Sequence, residues 1–273
     1  MGLTRFLTII CIAAAILACG GDDASDGFSP RTKGVLKVAT SLPAPGFWTG
    51  DTVEKLSGGF EYGIAQEIGK KYGLRVEFID VPFARIASGD LGGADIAMAQ
   101  IAATTEREQV MALSRSYMPA NTAALVPAGR TIRDLVEART LRWAVERDTT
   151  HAAFMAEIVN PVTPVLTTSS RNETLAALAE GRADAALLDL ETALATAYQS
   201  RGTLDVAGQF FTNQFLVIAL PKGSKNLEAV NLAIGELESS GRLEQLQQSE
   251  LVPVLGRDSD SVGVIITRAP RVP

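Results

Sequence analysis

The chain has 273 residues, of which 47% are hydrophobic and 21% charged, and its formal net charge is −6 at pH 7. This negative charge, with no cluster of lysines and arginines, argues against a nucleic-acid-binding protein, which needs a basic surface patch. The only two cysteines, Cys11 and Cys19, both lie near the N-terminus. The rest of the chain therefore has no thiol for a disulfide, a redox centre or a thiolate metal site.

The N-terminus has the pattern of a bacterial export signal. Arg5 precedes the uncharged apolar run Phe6–Leu17, which is too short to span a membrane. Small residues then lead to the lone Cys19, which is typical of a lipoprotein signal. We predict a signal peptide over residues 1–18, a lipid on Cys19 that anchors the protein to a membrane, and a flexible tether over residues 19–33. An ordinary cleavage site with an incidental cysteine is the alternative.

Strands and helices alternate along the rest of the chain. In the first half, apolar runs predict strands at Val35–Thr40, Arg75–Ile79 and Ala94–Ala99, and helical spacing predicts a helix at Phe60–Tyr72. In the second half, strands are predicted at Thr122–Pro127, Leu141–Val145, Val162–Leu166 and Asp184–Leu188, separated by helices at Ile132–Ala138, His151–Ile158 and Asn172–Ala179. A last strand, Phe215–Leu220, precedes helices at Leu227–Ser239 and Arg242–Ser249. The pattern predicts an α/β fold with a mainly parallel sheet in each half.

Two segments of the chain repeat one pattern, Gly89–Ala99 and Gly181–Asp189. Each has a glycine turn, an Ala-Asp step and an apolar strand. The first strand leads to the cation Arg107, and the second ends on the anion Asp189. Because the carboxyl ends of strands in open α/β sheets form the ligand crevice, facing lobes would place a cation on one wall and an anion on the other. That arrangement suits a zwitterion.

The short strands Thr122–Pro127 and Phe215–Leu220 bracket the second half of the chain, and we interpret them as a two-strand hinge that absorbs closure around a ligand. The predicted lobe 1 comprises residues 34–121 and 218–250, and lobe 2 comprises residues 122–217 with the hinge strands at its ends. Residues 251–273 form a C-terminal extension. Its polar, Pro-rich flanks favour a loosely ordered tail over an added edge strand.

Four segments, in this order, resemble the family 3 extracellular solute-binding proteins: GVLKVAT, SGGFEYGIAQEIGKKYGLRVEF, GADIAMAQIAATTERE and GRADAALLD. The resemblance covers roughly residues 34–248. It implies a two-lobe, type II periplasmic-binding-protein-like fold and an extracytoplasmic protein that captures an amino acid or similar small zwitterion. It also implies delivery to the permease of an ABC importer by a monomer that closes about its hinge.

The resemblance assigns roles to four residues. Arg107 is expected to pair with the ligand α-carboxylate, for which a guanidinium offers parallel donors. Asp189 is expected to receive the α-ammonium group, and Thr149 and Thr150 to meet the carboxylate. Each residue has a structural alternative. Arg107 suits a solvated position in the first turn of a helix, and the other three suit helix capping.

Further cleft positions are expected to set the ligand selectivity. Gln100 and Ala102 stand where the family often has smaller or hydroxyl-bearing residues, and Ser41 lies in the loop after the first strand. Aromatic walls are expected from Phe83, which we prefer, or from Phe47 and Trp48, although core packing explains any of them equally well. Glu146 is expected to touch the ligand side chain. With Asp148 nearby, it predicts an acidic pocket that favours a cationic or polar ligand.

The motifs that mark common enzyme classes are missing from the sequence. It contains no HExxH, Walker A or GxSxG motif, and its single histidine, His151, is interpreted as an ordinary residue at a helix start. We therefore expect no catalysis, no cofactor and no metal. One alternative is a cyclohexadienyl dehydratase acting on prephenate or arogenate, in which Glu146 would be the acid. Another is a lipoprotein that reports ligand to a membrane sensor.

Overall fold

Two five-stranded sheets form the framework of the computed structural model, which describes residues 27–265. The predicted signal peptide and Cys19 lie outside the described residues. Among the helices that the structure describes, none is long and apolar enough to cross a membrane.

The strands and helices alternate as the sequence predicts. The strands are β1 (Val35–Thr40), β2 (Arg75–Asp80), β3 (Ile96–Ala97), β4 (Met111–Pro119), β5 (Thr122–Pro127), β6 (Trp143–Glu146), β7 (Leu166–Thr168), β8 (Ala185–Asp189), β9 (Leu204–Phe210) and β10 (Phe215–Pro221). The helices are α1 (Phe60–Lys71), α2 (Phe83–Ala87), α3 (Thr105–Val110), α4 (Leu135–Arg139), α5 (Thr150–Phe154), α6 (Arg171–Ala179), α7 (Leu190–Gln199), α8 (Leu227–Ser239) and α9 (Arg242–Leu246).

Each sheet combines parallel and antiparallel strands. The first has the order β2-β1-β3-β10-β4 and the second the order β7-β6-β8-β5-β9. In the first sheet β1 pairs in parallel with β2 and β3, while β10 is antiparallel to its neighbours. In the second, β6 pairs in parallel with β7 and β8, while β5 is antiparallel to its neighbours. The predicted two-lobe α/β fold is confirmed, with mixed sheets in place of mainly parallel ones.

Four strands differ clearly from the sequence-based prediction, and one of them, predicted at Ala94–Ala99, forms only over Ile96–Ala97. The strand predicted from Val162 begins only at Leu166, because Pro164 cannot donate a ladder hydrogen bond. The strands β4 and β9 were not predicted. Both lie at the edge of a sheet, where one side of the strand has no partner strand and the apolar pattern is weak.

The chain crosses between the sheets just before each of the two strands that we interpreted as a hinge. It leaves the first sheet after β4 and returns to it after β9. The crossing segments bond to each other, since the Ala120 amide donates to the Gln214 carbonyl at 2.9 Å and the Thr212 hydroxyl donates to the Ala120 carbonyl at 2.5 Å. Both β5 and β10 pair with neighbouring strands along their length and are full members of their sheets. The crossings between the lobes lie in the segments that precede these two strands.

The C-terminal segment returns to the second sheet, which is the third crossing of the chain between the sheets. The amide of Gln209 in β9 donates to the carbonyl of Gly263 at 2.9 Å, and the amide of Ile265 donates to the carbonyl of Gln209 at 2.8 Å. The side chains of Val262 and Ile265 are buried. The prediction of a loosely ordered tail was wrong for this segment, because two apolar side chains and a free strand edge outweigh its polar flanks.

The core explains why α1 forms where it does. Phe60, Ile64 and Ile68 follow each other at intervals of four residues, and all three are fully buried. The same apolar cluster includes Ala44 of the first lobe and Ala195 of α7 in the second. The two lobes therefore share buried apolar contacts beside the crossing segments.

Candidate ligand-binding cleft

A small cavity lies between the two sheets, near the carboxyl ends of β3, β6 and β8. Seven of the nine predicted ligand-binding residues line it: Phe83, Gln100, Arg107, Glu146, Thr149, Thr150 and Asp189. A larger groove leads outward and shares Arg107, Thr149 and Thr150 with the cavity. The structure thus brings most of the predicted residues together in one cavity next to this groove.

Arg107 is a buried cation on the first-lobe wall of this cavity. It belongs to the first turn of α3, where its amide donates to the Thr104 hydroxyl at 3.2 Å, so Thr104 caps the helix. Its guanidinium donates to the Ala102 carbonyl at 2.7 Å and to the Asp148 carbonyl of the second lobe at 3.2 Å. The alternative of a solvated surface arginine is not what the structure shows, because Arg107 is only 6% exposed.

The guanidinium of Arg107 has no carboxylate partner among the described residues. Its centre lies 5.2 Å from the centre of the Phe83 ring, which covers one face of the cation. Burial lowers the pKa of Arg107, and the charges of Asp189 and Glu106 partly offset this effect. Two of the five N–H donors of a guanidinium are used by backbone carbonyls, so three remain for a ligand.

Asp189 faces Arg107 from the other lobe, at the end of β8. It is the residue before α7, but its side chain makes no capping hydrogen bond. Its Oδ1 lies 3.5 Å from Nε2 of His151 instead. Burial alone would raise the pKa of Asp189, but the nearby charges of His151 and Arg171 outweigh burial and hold the pKa below its ordinary value. The carboxylate is thus kept ionised on the cavity wall.

The two threonines of the second lobe have different surroundings. The Thr149 hydroxyl accepts from the Ala152 amide at 3.3 Å and donates to the Glu146 carbonyl at 2.7 Å, so Thr149 makes the capping contact of α5. The Thr150 hydroxyl has no protein partner among the described residues. Of the two, Thr150 keeps its hydroxyl available for a ligand.

Glu146 ends β6 inside the cavity, and its carboxylate accepts no hydrogen bond from the described residues. Burial raises the pKa of Glu146, although the charges of Arg171 and His151 act against this effect. The prediction that Asp148 adds to an acidic pocket was wrong. The Asp148 side chain is 55% exposed and lies 3.8 Å from Arg147, and only its carbonyl oxygen meets Arg107.

Gln100 is held in an unusual conformation by a buried carboxylate. Its backbone φ is 51°, in the left-handed region that is unfavourable for most side chains. Glu61 accepts from the Gln100 amide at 2.9 Å and from its side-chain Nε2 at 2.7 Å. It also accepts from Trp48 at 2.6 Å and from the Tyr117 hydroxyl. This network fixes the floor of the cavity on the first lobe.

Four predicted contacts lie elsewhere. Trp48 and Phe47 are buried in the core of the first lobe, so neither forms an aromatic wall of the cavity. Ser41 does not line the cavity, and Ala102 contributes only the carbonyl that accepts from Arg107. The loop after β1 turns its aromatic residues inward because Glu61 provides an acceptor for the indole N–H of Trp48.

Arg171 and His151 line the cavity and were missed as functional residues. The guanidinium of Arg171 donates across the cleft to the Pro43 carbonyl at 2.6 Å and to the Gln100 side-chain oxygen at 3.1 Å. One positional signal was available for both. Each lies in the first turn of a helix that follows the carboxyl end of a parallel strand, and His151 directly follows the assigned Thr150.

Glu191 is a further buried carboxyl, two residues beyond Asp189 in α7. Its Oε2 has no hydrogen-bond partner among the described residues. Burial raises the pKa of Glu191 from 4.5 to about 7, and the nearby charge of Asp189 adds to the increase. The folded state therefore favours the neutral carboxyl. The contribution of Glu191 to the free energy of unfolding is fully present below pH 4.5. As the pH rises through 7, roughly 3 kcal/mol of this contribution is lost.

The substitution Glu191→Gln should remove this loss. At pH 8 we expect the variant to melt about 5–10 °C above the unmodified protein, whereas at pH 4.5 the two should melt together. Differential scanning calorimetry at both pH values measures the difference. Glu228→Gln is the matched control, because Glu228 is also the second residue of a helix but is exposed. An equal gain from both substitutions, or none from Glu191→Gln, would contradict the assignment.

Within residues 27–265, no group of three or more histidine, cysteine or acidic side chains is arranged to hold a metal ion. The cavity instead presents separate charges on facing walls. Arg107 with its free donors can bind a carboxylate, and Asp189 can accept from a cationic donor. The unbonded Glu146 carboxylate can accept a further hydrogen bond.

Comparisons with known proteins agree with this geometry. A model of the bacterial extracellular solute-binding proteins, family 3, matches residues 36–251. The L-cystine-binding protein TcyJ of Escherichia coli strain K12 is 29% identical over 222 residues, which cover 80% of this chain and 83% of the relative. A solute receptor for L-cysteine of Neisseria gonorrhoeae superposes with a TM-score of 0.72 and 27% identity, over 82% of this chain and 92% of the receptor. An ancestral arginine-binding protein bound to glutamine gives 0.73 and 27%, over 83% of this chain and all of that one.

Proposed function

Because the chain belongs to the bacterial extracellular solute-binding proteins, family 3, we propose that it captures an amino acid between its lobes and delivers it to an ABC importer. The relatives named above are binding proteins for amino acids. The observation that carries the proposal is the pair of opposed charges in the cavity. Arg107 is buried without a carboxylate partner among the described residues, and the ionised Asp189 faces it from the other lobe.

The two charges suit the two ends of an α-amino acid. The carboxylate docks on the free donors of Arg107, on the wall of the first lobe, where Phe83 keeps the guanidinium in place. Closure then brings Asp189 and Thr150 onto the ligand, so that both charges are buried only when both are paired. A ligand that lacks either charge leaves one of them buried alone, which is unfavourable.

Closure is supported by hydrogen bonds that join the lobes around the cavity. The Arg107 guanidinium reaches the Asp148 carbonyl, and the Arg171 guanidinium reaches the Pro43 carbonyl. Both bonds use a cation from one lobe and a backbone oxygen from the other. They act as latches that form only when the lobes approach, and the ligand shifts the population toward that state.

The side chain of the ligand meets Glu146 and Arg171. An unbonded, buried carboxylate favours a ligand side chain that donates a hydrogen bond or carries positive charge. The names of the relatives give arginine, glutamine and cystine as ligands. In this chain, each of these ligands would bring polar groups to this end of the cavity. We therefore propose a polar or cationic L-amino acid, with leucine as a poor ligand.

The location follows from the family, whose members act outside the cytoplasm. We further propose that Cys19 carries a lipid and that the protein acts as a membrane-anchored monomer. The sequence pattern before Cys19 supports this part of the proposal.

A thermal-shift screen tests the function and the ligand class together. Any compound that binds only the folded protein raises its melting temperature by mass action. We expect arginine, glutamine or cystine at about 100 times the dissociation constant to stabilise the protein by about 3 kcal/mol. Leucine at the same concentration should give a much smaller shift.

Prephenate and arogenate are tested in the same screen. Each is also incubated with the purified protein, and the formation of an aromatic product is measured. Formation of an aromatic product from either compound would contradict the receptor function and support a dehydratase. Absence of any shift with cystine and with all twenty standard amino acids would contradict the proposed ligand class. Shifts with leucine equal to those with arginine would contradict only the role of Glu146.

A further inference from the structure

We propose that His151 occupies the ammonium subsite in the ligand-free protein and must lose its proton when an amino acid binds, so that capture is coupled to proton release. This inference rests on the proposed function, since it concerns the site in which Asp189 receives the ligand ammonium. It gives the only histidine of the chain a role in the pH dependence of ligand binding.

The geometry places the imidazole where a ligand cation has to go. Nε2 of His151 lies 3.5 Å from Oδ1 of Asp189, and both side chains are nearly buried, at 12% and 13% exposure. His151 belongs to the first turn of α5, and Thr149 caps that turn from within the same loop. The imidazole is thus held beside the carboxylate by the backbone that carries Thr149 and Thr150.

The charged groups around His151 come from three elements of the second lobe and one of the first. Asp189 at the end of β8 and Glu146 at the end of β6 are the acidic groups that line the cavity with it. Arg171 at the start of α6 and Arg107 of α3 are the cations of the same lining. With no ligand present, the ionised Asp189 gives the imidazolium a partner. Histidine is the side chain that most readily gains or loses this charge between pH 5 and 8.

Ligand binding removes that partner. An α-ammonium group bound to Asp189 sits within a few ångströms of Nε2, because both cations use the same buried carboxylate. Like charges at that separation in a site of low polarity disfavour each other's charged forms. The ligand cannot lose its proton and keep its ion pair with Asp189, so the imidazole loses its proton instead.

Proton release makes affinity depend on pH in one direction. Where His151 is protonated in the free protein, each bound amino acid releases about one proton, and the association constant rises about tenfold per pH unit. Above that range His151 is already neutral, and affinity becomes constant. The site therefore holds an amino acid more weakly in acid than at neutral pH.

Calorimetric titration measures the released proton directly. L-arginine, L-glutamine and L-cystine are each titrated into the protein at pH 5.5 and at pH 8, in two buffers with different ionisation enthalpies. For a probe that binds, the buffer dependence should give about one proton released at pH 5.5 and close to none at pH 8. The affinity should be at least tenfold lower at pH 5.5.

Two substitutions of His151 give opposite expectations. His151→Gln cannot carry a charge, so it should release no proton at either pH and bind about equally well at both. His151→Lys keeps a cation beside Asp189 at both pH values, so binding should be weak at both. Glu191→Gln is the matched control for the other group that titrates near neutrality, and its proton release should equal that of the unmodified protein.

The outcomes separate this inference from the proposed function. Binding at pH 8 without proton release at pH 5.5 overturns the inference and leaves the function standing. Equal proton release from His151→Gln and the unmodified protein also overturns it, because another group then supplies the proton. Absence of binding by all three probes at both pH values contradicts the proposed function and the inference with it.

Discussion

Replacing Arg107 by alanine is expected to abolish amino-acid binding. The substitution removes the buried cation that has three free donors on the cavity wall, and nothing else on the first-lobe side of the cavity offers a positive charge. Truncating one partner of a buried, hydrogen-bonded charge pair costs about 2–5 kcal/mol, which weakens binding about 30- to 5,000-fold. Calorimetric titration of the ligand identified by the thermal-shift screen measures the loss.

The same variant separates binding from folding. Because the guanidinium is buried without a carboxylate, its removal should leave the melting temperature of the ligand-free protein unchanged or higher. Arg107→Lys keeps the charge but not the planar fork, so we expect an intermediate loss of affinity. Arg75→Ala is the matched control, because Arg75 is an exposed arginine that pairs with Glu77. Wild-type affinity in Arg107→Ala would mean that the carboxylate binds elsewhere.

Asp189→Asn should be the second variant to lose binding. The amide cannot balance the ligand ammonium, and its own NH₂ group would point a donor at a cation. The expected loss is again about 30-fold or more. In the ligand-free protein the substitution removes a nearly buried interaction with His151 and the favourable charge of Arg171 on the carboxylate, so stability should fall by about 1–3 kcal/mol.

A control on another strand of the same sheet tests whether this loss is specific. Asp205 of β9 is an exposed aspartate 3.3 Å from Arg257, and Asp205→Asn should bind ligand like the unmodified protein. Both variants are titrated at pH 8, so that the proposed proton release from His151 does not affect the comparison. If Asp189→Asn bound an amino acid with unchanged affinity, the ammonium would have to be recognised by Glu146, the other acidic residue of the cavity.

The sequence contained enough information to predict the fold and the opposed charges. Buried strands such as β1 and β5 are mostly apolar segments, and their boundaries were predicted as they stand in the structure. Arg107 and Asp189 could be identified because each follows a buried strand, at the sheet edge where α/β proteins bind ligands. The local pattern pointed to both residues, but their expected roles in ligand binding came from the resemblance to the family.

Contacts between the lobes could not be predicted in the same way. Asp148 was expected to bring its charge to the cavity, but a φ of 62° turns its carbonyl inward and its side chain out. Arg171 reaches Pro43 and Gln100 over separations of 128 and 71 residues. Such pairs leave no periodic pattern in the sequence, because they depend on how the two lobes meet.

The third crossing of the chain has a consequence for the order in which the protein is completed. All five strands of the second sheet have been synthesised by residue 210, yet residues near Gly263 must arrive before the edge of β9 at Gln209 is covered. Gly208 leaves room for this by lacking a side chain where Ile265 packs closely. Until then the nascent second lobe exposes unpaired backbone that can join a strand of another chain. The segment around Gly263 thus covers an edge of the second sheet that would otherwise be open to aggregation.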